Sequence, residues 1–257
     1  MTEPKLAFRT PPLVEVSFGL FFEQVAGMSS AHFGRFWSTI AGTFPETQDQ
    51  LMVGLPKGVA GNLFPLPRVW FVHKDRALLI QLQTDRFYLN WRRIPGGEYP
   101  RFGQMLPLFS DYVNRWRKFV DESGIGPLHI NKCELTYVNH IFEGEGWSGV
   151  SQISNVLSPS LVVPPQGRLP DPVGLAWQST YQIGDCDVVA EVKTATLVED
   201  QQKKLLQLEL KAQSKSKIDA LLECEKWLAG ANLVLEDVFL AMTTKTAQED
   251  NWHRVRS

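Results

Sequence analysis

The chain has 257 residues, 44% apolar, 21% charged and 11% aromatic, a composition that excludes disordered, collagen-like and coiled-coil classes and suits a globular protein. Its 26 basic and 28 acidic residues give a net charge of -2, which argues against wholesale wrapping of nucleic acid or adhesion to an anionic membrane but leaves room for a local basic patch. No window approaches the roughly 18 uncharged apolar residues of a membrane span, so a soluble protein is expected.

Leu13 to Phe22 opens with alternating apolar and small or polar residues directly after Pro11-Pro12, which forces extended backbone. Glu15 interrupts the run and no small-residue cleavage site follows, so it reads as a strand and not as a signal peptide. Ser29-Ser30 can cap a short helix whose Phe33, Phe36, Trp37 and Ile40 share one face and which stops before Gly42 and Pro45. Gln48 to Pro67 is rich in Gly and Pro without a period and is expected to be a long surface loop.

Three strand-like runs follow, 68–73, 77–83 and 86–92, separated by very short polar breaks, and predict an antiparallel meander. From Tyr99 to Asp121 the positions Phe102, Met105, Leu106, Phe109, Tyr112, Val113, Trp116, Phe119 and Val120 keep a helical stripe. Gly124 to Pro127 ends it, and Leu128 to Phe142 alternates as a strand.

Residues 144–173 are dense in Gly, Ser and Pro, and the boundary between an N-terminal α+β half (1–143) and a C-terminal half (174–257) is expected there. The second half opens with runs at 174–182, 187–198 and 203–211, a second meander. It closes with helical spacing from Ser216 to about Thr244. The expected class is therefore α+β: two halves, each an antiparallel meander packed by a long helix, as in a degenerate duplication.

Cys133, Cys186 and Cys224 are odd in number, widely spaced and without a CxxC pattern, so buried free thiols in a reducing cytoplasm are expected. His32, His73, His129, His140 and His253 are scattered, and none has metal-ligand spacing. No GxSxG elbow, GxxxxGK[ST] loop or post-strand GxGxxG turn is present. Cys133 and His140 are seven residues apart and fall on opposite faces of one strand, while Asp185 and Asp187 fit a hairpin turn. No catalytic residue, metal or cofactor is expected.

The densest chemistry lies between Thr84 and Lys118, where seven basic residues stand against three acidic ones. Arg86, Trp91, Arg92, Arg93, Tyr99 and Arg101 form the candidate partner-binding patch, and Trp70 adds a further aromatic, because Trp, Tyr and Arg supply most binding hot spots. The structural alternative is that Phe87, Leu89 and Trp91 face inward while Arg86, Tyr88 and Asn90 solvate the other face. From Asp187 to Asp250 eight lysines meet twelve acids, and this opposed charge suits docking to a protein or a second copy better than to DNA.

PPLVEVSFGLFF, DRFYLNWRR with YPRF, YVNHI and WLAGANLVLEDVFLAMTTKTAQEDNW together resemble, in that order and spacing, a sporadically distributed bacterial family of unknown function. The likeness covers nearly the whole chain and falls on Pro12, Leu13, Glu15, Val16, Phe18, Asp85 to Phe87, Asn90, Trp91, Tyr99, Pro100, Tyr137, Asn139, Trp227, Phe239, Thr243 and Trp252. Where such proteins often carry a histidine in the final helix, this chain has Asn232. The resemblance implies no activity; patchy distribution of this kind goes with mobile-element, phage-defence or CRISPR-associated genes. The expected function is a non-enzymatic interaction or regulatory subunit of such a system. Single-stranded nucleic-acid binding along the sheet edge is the second reading. A hydrolase or nuclease assembled from Glu15, His73, Asp85 or His140 is the third.

Overall fold

The computed structural model describes residues 7–53, 66–158, 170, 172–197 and 203–255. The first part of the chain gives β1 (Leu13–Phe22), α1 (Ser30–Ile40), β2 (Glu46–Gln50), β3 (Arg68–Val72), β4 (Leu78–Gln83), β5 (Arg86–Arg92), α2 (Phe102–Ser123) and β6 (Ile130–Phe142). A 3-10 turn (Val150–Asn155) precedes β7 (Ala176–Ile183), β8 (Cys186–Thr196), β9 (Lys204–Ser214) and α3 (Leu221–Met242), and a π turn (Ala247–Asn251) follows. The nine strands form an antiparallel sheet in the order β2-β3-β4-β5-β1-β6-β9-β8-β7, so the chain is α+β with both expected meanders.

Two compact units share the chain, and neither is a single segment. One comprises Glu15–Leu135 with Gln213–Ala229; the other comprises the described parts of Met1–Val14, Thr136–Ala212 and Gly230–Ser257.

In the first unit, the alternation of β1 buries Val16, Phe18, Leu20 and Phe22. Their side of the sheet is covered by α1 and α2: Phe18 lies 5.8 Å from Phe109, Phe22 lies 6.4 Å from Trp116, and Phe36 of α1 lies 5.9 Å from Phe71 of β3. The result is an aromatic core, with Phe18, Phe22, Phe36, Phe71, Phe87, Phe109 and Trp116 among the largest fully buried side chains. α1 begins with the reciprocal arm of a capping box, the Ser29 N–H donating to His32 Nδ1 at 3.0 Å. α2 ends at Gly124, whose φ of 60° is the left-handed closure that glycine adopts without penalty.

The sequence predicts a loop from Gln48 to Pro67, and the structure corrects its beginning. Glu46–Gln50 is a strand paired with β3, from Glu46 opposite Val72 to Gln50 opposite Arg68. Its sequence ETQDQ offers no apolar alternation, and its extended form comes from the ladder that β3 presents. Residues 54–65 of the predicted loop lie outside the described residues.

In the second unit, β8 buries Val188, Ala190 and Val192, and β9 buries Leu206, Leu208 and Leu210, each on alternate positions. Trp252 closes a cluster with Phe8 and Phe239, at 6.0 and 5.4 Å. Thr243 returns its hydroxyl to the Phe239 carbonyl at 2.7 Å. β7 is an edge strand whose side chains are exposed or half-exposed throughout.

The expectation of three free thiols holds for Cys186 alone, which is buried. Cys133 of β6 and Cys224 of α3 form a disulfide with Cα atoms 6.0 Å apart, and both are fully buried. Their separation of 91 residues leaves no spacing signal in the sequence.

Candidate functional site

The alternation of β5 sorts its residues onto two faces. Phe87, Leu89 and Trp91 are buried on the helix-covered side, Phe87 at 6.4 Å from Phe109 and Trp91 at 5.0 Å from Tyr99. Arg86, Tyr88, Asn90 and Arg92 point to the other face. Strand register then lines them up with neighbours from β3, β4 and β1. Trp70, Gln81, Tyr88 and Gly19 form one row, Gln83, Arg86 and Phe21 a second, and Leu79, Asn90 and Ser17 a third.

A chain of hydrogen bonds runs across these rows. Arg68 Nη1 and Trp70 Nε1 both donate to Gln81 Oε1 at 3.0 Å, Gln81 Nε2 donates to Asn90 Oδ1 at 2.8 Å, and Asn90 Nδ2 donates to Glu15 Oε1 at 2.5 Å. Gln81 and Asn90 are buried, so the amides fix one another's orientation and hold the indole from its polar edge. The Arg68 and Arg92 guanidiniums lie over the Trp70 ring, 5.4 and 5.6 Å from its centre.

The second row is ionic. Arg86 Nε and Nη2 donate to the two carboxylate oxygens of Asp85 at 2.9 and 2.8 Å, and Gln83 Nε2 adds a bond to Asp85 Oδ1 at 3.0 Å. This pairing raises the Arg86 pKa despite partial burial, and the guanidinium also lies 5.0 Å over the Phe21 ring. Tyr88 reaches across β1 and donates its hydroxyl to Glu134 Oε1 at 3.2 Å. Burial first, and then the Glu134 charge, push the phenol pKa well above its usual range. Gly19 makes this reach possible, because a Cβ there would stand 2.5 Å from Tyr88 Cε1.

The structure divides the six residues of the predicted patch. Arg86 and Arg92 belong to the polar face, Trp91 is buried on the opposite one against Tyr99, and Arg93 is exposed just beyond β5. Arg101 is exposed at the start of α2 with a φ of 71°. Arg68, Gln81, Ser17 and Gly19 escape a sequence reading because they come from separate strands and only sheet order brings them beside Trp70 and Arg86.

Glu15, His73, Asp85 and His140 do not gather. Glu15 is held by Asn90, His73 Nδ1 lies 2.6 Å from Asp75, Asp85 is held by Arg86, and His140 belongs to the second unit beside Phe142. Burial lowers the His140 pKa. Among the described residues no three His, Cys, Asp or Glu side chains sit closely enough to hold a metal ion, and no helix is long and apolar enough to cross a membrane.

The motif residues of the second unit make a smaller polar cluster. The Tyr137 hydroxyl donates to Asn232 Oδ1, Asn232 Nδ2 donates to Glu236 Oε1 at 2.9 Å, and Asn139 Nδ2 donates to the Leu208 carbonyl at 3.2 Å. Asn139 thus does what its position at the end of YVN suggests, satisfying a buried peptide group. Comparison of the chain with family models, with curated proteins and with solved structures finds no match.

Proposed function

We propose that this protein is a non-enzymatic interaction or regulatory subunit, and that it binds a protein partner with an acidic contact surface through the Arg68–Trp70–Arg92 cluster, extended by Arg93. The observation that carries this reading is the indole of Trp70, which is fixed by Gln81 and overlaid by two guanidiniums. Trp and Arg are the commonest anchors of protein interfaces, and an indole already locked in place loses little rotamer freedom on binding. Membership of a bacterial defence system is part of the proposal and rests on the motif resemblance alone, as does the duplication of a meander-plus-helix unit on the likeness of the two halves.

The test is affinity capture of the tagged protein from its native bacterium, with and without nuclease, beside the Arg92→Glu/Arg93→Glu variant. A stoichiometric protein partner that survives nuclease and is lost with the variant is the expected result. Undiminished capture by a folded variant refutes the assignment of the patch. The same cluster also favours a second reading, single-stranded nucleic acid, because an indole can stack a base while arginines pair the phosphates. Capture that disappears with nuclease, and retention on oligonucleotides that falls steeply with salt, would put that reading first.

A further inference from the structure

On the polar face, beside the Trp70 cluster, Ser17, Val53, Arg68, Gln81, Arg86 and Tyr88 line a concavity of about 160 Å³. Among the described residues two guanidiniums border it and no carboxylate does. Asp85 compensates the Arg86 charge through two short hydrogen bonds, whereas Arg68 makes no ion pair among the described residues. Of the five N–H donors of Arg68, one on Nη1 is used by Gln81, and the Nε–H is buried with no hydrogen-bond partner. A buried donor on a charged group without an acceptor is costly, and an acceptor arriving from outside removes that cost. Burial, opposed in part by Tyr88 and reinforced by the Arg86 charge, lowers the Arg68 pKa. An anion between the two guanidiniums relieves both the burial and the repulsion.

We propose that this concavity is a binding site for a phosphoryl group, with Arg68 as the uncompensated charge, Arg86 as the fixed second guanidinium and the Ser17 hydroxyl as a third donor. The donors come from three different strands, β3, β5 and β1, and a phosphoryl group has an oxygen to offer each of them. The concavity has room for the phosphoryl group itself, either of free phosphate or at the end of a small phosphomonoester. The inference goes beyond the partner-binding reading and shares Arg68 with it, but rests on the concavity and the unpaired Nε–H and not on the indole.

The experiment is titration of the full chain with inorganic phosphate and, separately, with adenosine monophosphate, at constant ionic strength, followed by calorimetry and by the arginine Nε–H resonances in NMR. The expected result is saturable binding that shifts the Arg68 Nε–H and weakens at least tenfold in Arg68→Gln, with partial recovery in Arg68→Lys. Tighter binding of the monophosphate identifies a phosphomonoester as the source; equal binding identifies free phosphate. Partner binding is read by capture from the native bacterium and the concavity by titration of the purified chain, so a failed partner capture and a failed phosphate site are told apart. No saturable binding of either probe overturns the proposal, and so does binding that survives unchanged in a folded Arg68→Gln protein.

Discussion

Replacing Gly19 with alanine tests whether the polar face is built as described. Gly19 sits opposite Tyr88 in the β1–β5 ladder, and an added Cβ would lie 2.5 Å from Tyr88 Cε1, 2.9 Å from Cδ1 and 3.2 Å from Glu134 Cβ. Carbon atoms pack at about 3.5–4.0 Å, so the ring must lift by about 1 Å. Overfilling of this kind costs about 1–3 kcal/mol. Displacing the Tyr88 hydroxyl from Glu134, now at 3.2 Å, removes a further ~1 kcal/mol or more. Replacing glycine within a strand returns ~0.5–1 kcal/mol by restricting the unfolded chain. The net expectation for Gly19→Ala is a loss of about 2–3 kcal/mol, read from urea unfolding monitored by tryptophan fluorescence. The decisive comparison repeats the substitution in a Tyr88→Ala background, where the methyl group meets only Glu134 Cβ at 3.2 Å and the same change becomes close to neutral. A coupling of about 2 kcal/mol between the sites is expected from the double-mutant cycle. Additive losses would refute the account, since they would mean that Tyr88 does not lie over Gly19.

Other expectations concern the thiols, the amide chain and alkaline pH. Denatured protein should titrate one thiol per chain without reductant and three with it, since Cys133 and Cys224 are bonded and Cys186 is free. Because the bond spans 91 residues, its reduction should lower stability by about 4–5 kcal/mol in the chain-entropy account; identical unfolding with and without reductant would contradict it. Asn90→Ala should cost ~1–3 kcal/mol, because the buried amide both donates to Glu15 and accepts from Gln81, and thermal denaturation measures this directly. The raised pKa of Tyr88 means that the folded state keeps its phenolic proton to higher pH than the unfolded state does. The associated stability is complete below about pH 10 and is lost as pH rises beyond it, so Tyr88→Phe should flatten part of the alkaline slope in urea titrations.

Helical periodicity made α1, α2 and α3 legible, because each buries a stripe whose spacing owes nothing to distant residues. β1, β4 and β5 were legible for a similar reason: short runs of β-branched and aromatic residues ended by turn residues. ETQDQ carried no such signal, since the strand state of Glu46–Gln50 is conferred by its neighbour. In the candidate site, alternation within DRFYLNWRR distinguishes Trp91 from Arg86 and Arg92, but nothing local reports that Arg68, Gln81 and Ser17 complete the face. Those relations depend on strand order and register, which pair Gly19 with Tyr88 across 69 positions of the chain. The disulfide was hidden for the same reason.

The division of the chain bears on its synthesis. The unit built mainly from Glu15–Leu135 is completed by Gln213–Ala229, and the other joins the described residues before Glu15 and within Thr136–Ala212 to those described from Gly230 onward. A ribosome therefore releases the chain as far as residues 213–229 before the first body has all its parts, and beyond residue 230 before the other has. Until then β6 emerges without β9, its later neighbour, and Cys133 without its bonding partner. Nascent chains in this condition expose unpaired strand edges for the many seconds that translation of the remaining residues takes. Early folding thus has β1, α1, α2 and the β2–β5 ribbon to work with, while β6 waits for β9, and the protein should depend on holding chaperones in proportion to how slowly its second half is made.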